Sequence, residues 1–188
     1  MNTNAREAIL SAATQIAQSH GYSALSIRDL AAAVGIKPAS IYYHFPGKTE
    51  LAAAVAKRYC EDGVVALQEI SDEASTALDA VGRFPEIFRR SLERENRLCL
   101  GSFMGAETDD LPQEVLAQIR RFSEINIDWI ANKLIESGKC DPDSAVVRAS
   151  SIFAAIAGAQ LLARTRSDIN LFDTLVSGYR ASGLLPSA

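Results

Sequence analysis

Apolar residues recur at intervals of three and four through almost the whole chain, and hardly anywhere in the alternation that a half-buried strand requires. That spacing predicts an all-α fold. In the first stretch Ile9, Ala13, Ile16 and Ala17 share one helix face, with Asn4 as a cap and Gly21 as the left-handed residue that ends the helix. Ser26 opens a second helix whose inner face is Ile27, Leu30, Ala31 and Val34, with Asp29 in the first turn, where a carboxylate meets the positive helix end. This helix stops at Gly35. Pro38 suits the first turn of a short third helix, which runs to Phe45 before Pro46 and Gly47 break it.

The rest of the chain continues in helices. Lys48 opens a long one through about Ile70, the polar stretch Ser71 to Ser75 permits a break, and another helix follows to about Arg97. Glu107 to Leu111 read as a loop. Pro112 then starts a helix with the stripe Val115, Ile119, Phe122, Ile125, Trp129, ending at Gly138. Asp141 and Pro142 begin the next helix, to about Thr165, which is apolar on more than one side and so needs partners on two sides. A last helix carries Leu171, Phe172, Leu175, Val176 and Tyr179 and ends at Gly183.

Composition narrows the class. With 188 residues, 48% of them apolar, the chain can bury a real core. No run approaches the eighteen or so consecutive apolar residues of a membrane span, and Met1 to Ala8 lead into no secretory h-region. Cys60, Cys99 and Cys140 form neither a CxxC pair nor an even disulfide set, which points to the cytoplasm. Only His20 and His44 supply imidazoles, so no metal site or cofactor is expected. Residues 1–58 hold six basic groups against three acidic ones, a net of +3, which leaves -7 of the overall -4 for the remainder. A cationic module joined to an anionic one suits a nucleic-acid head on another kind of domain; a chance fluctuation of surface charge is the plainer account.

The segment from Ile27 to Phe45 has the dimensions of a helix-turn-helix, and its second helix, roughly 10 Å long, fits a major groove. Ile41 and Phe45 can pack inward at i and i+4, turning Ser40, Tyr43 and His44 outward with Tyr42 at the edge. Neighbouring tyrosines facing only water would be unusual. Their hydroxyls can donate to phosphate oxygens while their rings meet sugars or thymine methyls. Lys48 lies where the macrodipole disfavours a cation, and a bound phosphate would reverse that cost. Each residue also has a purely structural account: Tyr42 filling the three-helix core, His44 capping the short helix, Lys48 an ordinary solvated side chain.

The stretch Ser26-Ile27-Arg28-Asp29-Leu30-Ala31, continued by Val34-Gly35-Ile36-Lys37-Pro38-Ala39-Ser40-Ile41-Tyr42-Tyr43-His44-Phe45-Pro46-Gly47-Lys48-Thr49-Glu50-Leu51, resembles the DNA-binding domain of the tetracycline repressor (TetR) family. The resemblance implies a DNA-binding head over residues 1–46 and a helical ligand-binding and dimerisation domain over 47–188, with helix 47–70 as the link. It implies DNA contacts from Ser26, Lys37, Pro38, Ala39, Ser40, Tyr42, Tyr43, His44 and Lys48. Lys37 departs from the serine that caps the recognition helix in many members, and a cation at that turn can meet phosphate instead.

The run Arg97-Leu98-Cys99-Leu100-Gly101-Ser102-Phe103-Met104, followed by Leu111-Pro112 and the helix through Asn126 and Trp129, resembles a TetR subgroup in which some members sense electrophiles or oxidants through cysteine. Arg97 would help to stabilise a Cys99 thiolate; a buried Cys99 acting as a small apolar side chain is the preferred account. Together these features describe a ligand-responsive regulator, most simply a repressor, that binds a palindromic double-stranded DNA operator as a homodimer and is released by a small-molecule effector. Helices 142–165 and 170–182 are the expected dimer interface, the alternative being that they only complete the monomer core. Cys99, Phe103, Met104, Phe122 and Trp129 are candidate effector contacts that equally suit the core. A small helical enzyme is disfavoured because the chain has no Gly-rich phosphate loop, HExxH or GxSxG and hence no catalytic set. A protein-interaction adaptor using Tyr42 and Tyr43 remains the other alternative.

Overall fold

The computed structural model describes residues 2–187, with side chains from Ala5 onward, and within them every regular element is helical. Ten α-helices follow one another: α1 (Asn2–His20), α2 (Ile27–Val34), α3 (Pro38–His44), α4 (Lys48–Glu73), α5 (Ala77–Arg83), α6 (Pro85–Glu93), α7 (Leu100–Gly105), α8 (Gln113–Glu136), α9 (Pro142–Arg166) and α10 (Ile169–Ala181), with one turn of 3-10 helix at Thr108–Asp110. Helix α1 begins at Asn2, ahead of the expected cap Asn4, whose side chain lies outside the described residues.

Local chemistry accounts for most boundaries. Ser26 caps α2 by accepting the Asp29 N–H, and Gly35, with φ of 75° and ψ of 31°, closes it as only glycine does without strain. Asp141 accepts the Asp143 and Ser144 N–H groups at the start of α9, with Pro142 in its first turn. Asp168 caps α10 in the same way. Helix α4 runs three residues past the expected end at Ile70, because the Ser71 hydroxyl donates to the Leu67 carbonyl and stays within the helix; the break falls at Ala74 and Ser75, before the Thr76 cap of α5. The single helix expected up to Arg97 is two. Pro85 has no N–H to continue α5, so the chain restarts as α6 and then leaves it through Glu95 and Asn96, both left-handed.

The described residues form two compact units. In the first, made of the chain up to Glu61 with Leu100–Phe122, the core joins Ile9, Leu10, Ala13 and Ala17 of α1 to Leu30 and Ala31, Ile41 and Phe45, and Leu51, Ala52, Val55 and Ala56. Leu100 and Met104 of α7 and Val115, Leu116 and Ile119 of α8 complete it. Gly101 is needed here, since a Cβ would meet the Phe122 ring at 2.6 Å.

In the second unit, Asp62–Cys99 with the chain from Ser123 onward, Phe84 packs at 5.4 Å from Phe88 and 6.1 Å from Trp129, and Phe88 meets Phe153 edge-on at 6.0 Å. Arg89 of α6 grips Asp173 of α10 through two bonds of 2.8 and 3.1 Å, and the same bonds raise its pKa above the ordinary guanidinium value. The buried stripe of α8 in this unit is Asn126, Ile130 and Leu134; Ile125 and Trp129, expected in that stripe, are half-buried. Helix α9 has no uninterrupted apolar run of membrane-spanning length, but with Arg148, two serines and Gln160 spaced among apolar residues it still reaches a mean hydropathy of 1.6 over eighteen residues, enough by length and composition to cross a bilayer. Ala145, Ala149, Ile152, Ile156, Ala159 and Ala163 bury one side, while Val146, Val147, Leu161 and Leu162 are exposed.

Candidate nucleic-acid interface

Helices α2 and α3 are joined by Gly35, Ile36 and Lys37, and the Ile36 N–H returns to the Ala31 carbonyl at 2.9 Å, which fixes the turn. Lys37 occupies the cap position of α3 without a side-chain capping bond, and Pro38 follows in the first turn. Lys37 is exposed, and its ammonium, which has only N–H donors, cannot satisfy the free N–H groups of the helix start.

Within α3, Ile41 is fully buried and Phe45 nearly so. This anchoring turns the opposite side outward: Tyr43 is 72% exposed and Tyr42 53%, with Ser40, Ala39 and Pro38 also exposed. Neither tyrosine fills the three-helix core. His44 is half-buried and stacks edge-on against Tyr43 at 5.0 Å, which steadies the outer ring. An open cleft of about 470 Å³ beside this helix is lined by Ala5 and Ile9 of α1 together with Ile36, Ala39, Ser40, Tyr43 and His44.

Lys48 is the first residue of α4. Its Nζ donates to the Ser23 carbonyl at 3.0 Å and stands 4.4 Å from the centre of the Tyr22 ring. These contacts offset the unfavourable placement of a cation at a helix start and leave the ammonium half-exposed with further N–H donors. Two cations of the head lie outside the contacts expected from the sequence. Arg6 of α1 lies with its guanidinium 5.3 Å from the Phe45 ring, at the edge of the same head, and Arg28 is exposed two residues after Ser26.

Glu107 was missed as well. Its carboxylate accepts the Tyr22 N–H at 2.7 Å and the Ser23 hydroxyl at 3.2 Å, bonds that join residues more than eighty positions apart and leave no local trace in the sequence.

Residues 9–55 match the family described as bacterial regulatory proteins, tetR family. The crystal structure of a TetR transcriptional regulator from Legionella pneumophila is 31% identical, with a TM-score of 0.88, over 94% of this chain and 95% of that one. The chain belongs to the TetR family. It is accordingly a DNA-binding transcriptional regulator, with the helix-turn-helix at α2 and α3, and not an enzyme. A TetR-family regulator from Agrobacterium tumefaciens has the same fold, with a TM-score of 0.89 at 22% identity over 97% of this chain and 98% of that one. The transcriptional repressor KstR2 of Mycolicibacterium smegmatis is 24% identical over 137 residues, 72% of this chain but 65% of that repressor's length.

The candidate effector residues fall in separate surroundings. Met104 is fully buried in the core of the first unit, Phe122 packs 5.3 Å from Tyr59, and Phe103 is half-buried. In the second unit the Trp129 indole N–H donates to the Ser71 hydroxyl at 3.0 Å. Cys99 is 2% exposed, and its N–H is held by the Gln160 side chain at 2.9 Å. Burial of that depth suits a small apolar side chain better than a thiol reached by electrophiles.

Proposed function

We propose that this TetR-family regulator acts in the cytoplasm as a repressor, a homodimer that inserts its two copies of α3 into successive major grooves of a palindromic operator, about 34 to 36 Å apart. The observation that carries this reading is the exposure of Tyr42 and Tyr43 on a short helix anchored from behind by Ile41 and Phe45. Ser40, Tyr42, Tyr43, His44, Pro38 and Ala39 face the groove, while Ser26, Lys37 and Lys48 meet the phosphates that flank it. The DNA-binding head is residues 1–46, the ligand-binding and dimerisation domain is residues 47–188, and helix 47–70 is the link.

Dimerisation uses α9 and α10. Val147, Ser151, Ala154, Gly158, Leu161 and Thr165 form an exposed line at helical spacing along α9, with apolar Val147 and Leu161 on either side of a small middle, which permits close approach of a symmetry mate. The effector is an apolar small molecule, with Phe103, Met104 and Phe122 as one candidate group of contacts and Cys99 and Trp129 as another. To weaken operator binding a hundredfold it must favour the non-binding conformation by about 2.7 kcal/mol.

The test is selection of duplexes from a random pool by the full chain, followed by salt titration of the winner. Lys48→Ala weakens binding to all duplexes and lowers the log–log salt slope by about one unit per subunit. An unchanged slope removes Lys48 from the phosphate contacts, and selection of no duplex refutes the proposal.

A further inference from the structure

We infer that Glu107 is a positioning residue for DNA binding, acting through the turn between α1 and α2 to hold Lys48 where it meets phosphate. The inference rests on the phosphate role proposed for Lys48. Its starting point is a turn built around a carboxylate. Gly21 is left-handed, with φ of 78°, and a Cβ there would stand 2.5 to 2.7 Å from the Glu107 carboxyl group, so this position admits only glycine while Glu107 is in place. The two residues that follow both bond to that carboxyl group, Tyr22 through its backbone N–H at 2.7 Å and Ser23 through its hydroxyl at 3.2 Å.

The same two residues hold Lys48. The Ser23 carbonyl accepts from Nζ at 3.0 Å, and the Tyr22 ring lies 4.4 Å from it. A lysine at a helix start would otherwise sample many rotamers and would have to be ordered when DNA arrives. Here one N–H is directed to Ser23 and one side of the ammonium rests on a ring, so the remaining donors point in a restricted direction. A charge-assisted bond from a backbone N–H to a carboxylate is stronger and shorter than a neutral one, and it fixes the peptide that carries the Tyr22 ring. Glu107 follows α7, the helix of Phe103 and Met104, and so belongs to a segment remote in sequence from the head it steadies.

The experiment is a double-mutant cycle on the full chain, read by fluorescence anisotropy with the duplex selected from the random pool. Glu107→Ala is expected to weaken binding about tenfold and to flatten the salt slope in the direction Lys48→Ala does. In the Lys48→Ala background the same substitution is expected to cost less than about twofold, because the lysine it positions is gone. Glu107→Gln, which keeps an acceptor for the Tyr22 N–H but loses the charge assistance, is expected to bind with an affinity between those of the parent and Glu107→Ala.

Equal loss from Glu107→Ala in both backgrounds, or unchanged or tighter binding by Glu107→Ala, overturns the inference. If Glu107→Ala melts below the assay temperature, Glu107→Asp, one methylene short of the turn, replaces it in the cycle with the same two readings. A parent chain that selects no duplex refutes the DNA-binding proposal; a parent that binds while Glu107→Ala binds equally well refutes only the role of Glu107.

Discussion

Substitution of Leu161 by glutamate separates a dimer-forming α9 from one that merely completes the monomer. Leu161 is 50% exposed on the outer line of α9. Full burial of a leucine side chain contributes about 1.5 to 3 kcal/mol, so covering the exposed half contributes about 1 kcal/mol per chain and about 2 kcal/mol across a two-fold interface. Glutamate forfeits that term and adds the desolvation of two carboxylates near a symmetry axis, which costs at least about 2 kcal/mol even where water still reaches both. The sum, at least about 4 kcal/mol, raises the dimer dissociation constant about a thousandfold or more. Sedimentation velocity at about thirty times the parent's measured dissociation constant is expected to show the parent mainly as a dimer and Leu161→Glu mainly as a monomer, with an unchanged far-ultraviolet dichroism spectrum because the residue faces outward. A variant that still sediments as the parent dimer at that concentration refutes the assignment of α9.

Two further substitutions probe what orders the second unit. Gln160 is fully buried, accepting the Cys99 N–H at 2.9 Å and donating to the Phe88 carbonyl at 2.8 Å. Gln160→Met conserves volume but removes the acceptor of the Cys99 N–H and the donor to the Phe88 carbonyl; a loss of about 2 kcal/mol lowers Tm by about 4 to 8 °C in calorimetry, and no change in Tm would show that these bonds are dispensable. The Ser144 hydroxyl, followed by the Ser144 and Asp143 N–H groups, holds the Asp141 carboxyl below its ordinary pKa of 3.8. A depressed folded pKa means that this cap stabilises fully above pH 3.8 and is lost as pH falls through the lower folded value. Asp141→Asn is therefore expected to flatten the acid limb of the stability profile below about pH 4, and an unaltered limb contradicts this.

The parts legible in the sequence are those fixed by neighbours. Ser26 and Gly35 mark the ends of α2 through bonds to residues three or four away, Pro38 marks the start of α3 by its fixed φ and missing N–H, and Ile41 with Phe45 orients α3 by spacing alone. Pro85 carries an equally local signal that the reading of a single helix to Arg97 passed over. Other features have no local signal. Glu107 looks like one more acid in an acidic loop until Gly21 and Tyr22 are brought to it, and the change along α8 from a stripe through Phe122 to one through Asn126, Ile130 and Leu134 reflects different surroundings at its two ends. A helical period cannot say which face will be covered when both faces are apolar, which is why the exposed line of α9 had to be located in space.

The central claim is that the outward face of α3 reads DNA. The direct measurement is the affinity of the full chain for the selected operator relative to a scrambled duplex of equal length, in the parent and in Tyr42→Ala/Tyr43→Ala. The parent is expected to prefer the operator by about a thousandfold or more, and loss of both tyrosines to reduce that preference by at least tenfold while binding to the scrambled duplex changes less. A parent that binds both duplexes equally, or a double variant that keeps the full preference, contradicts the account.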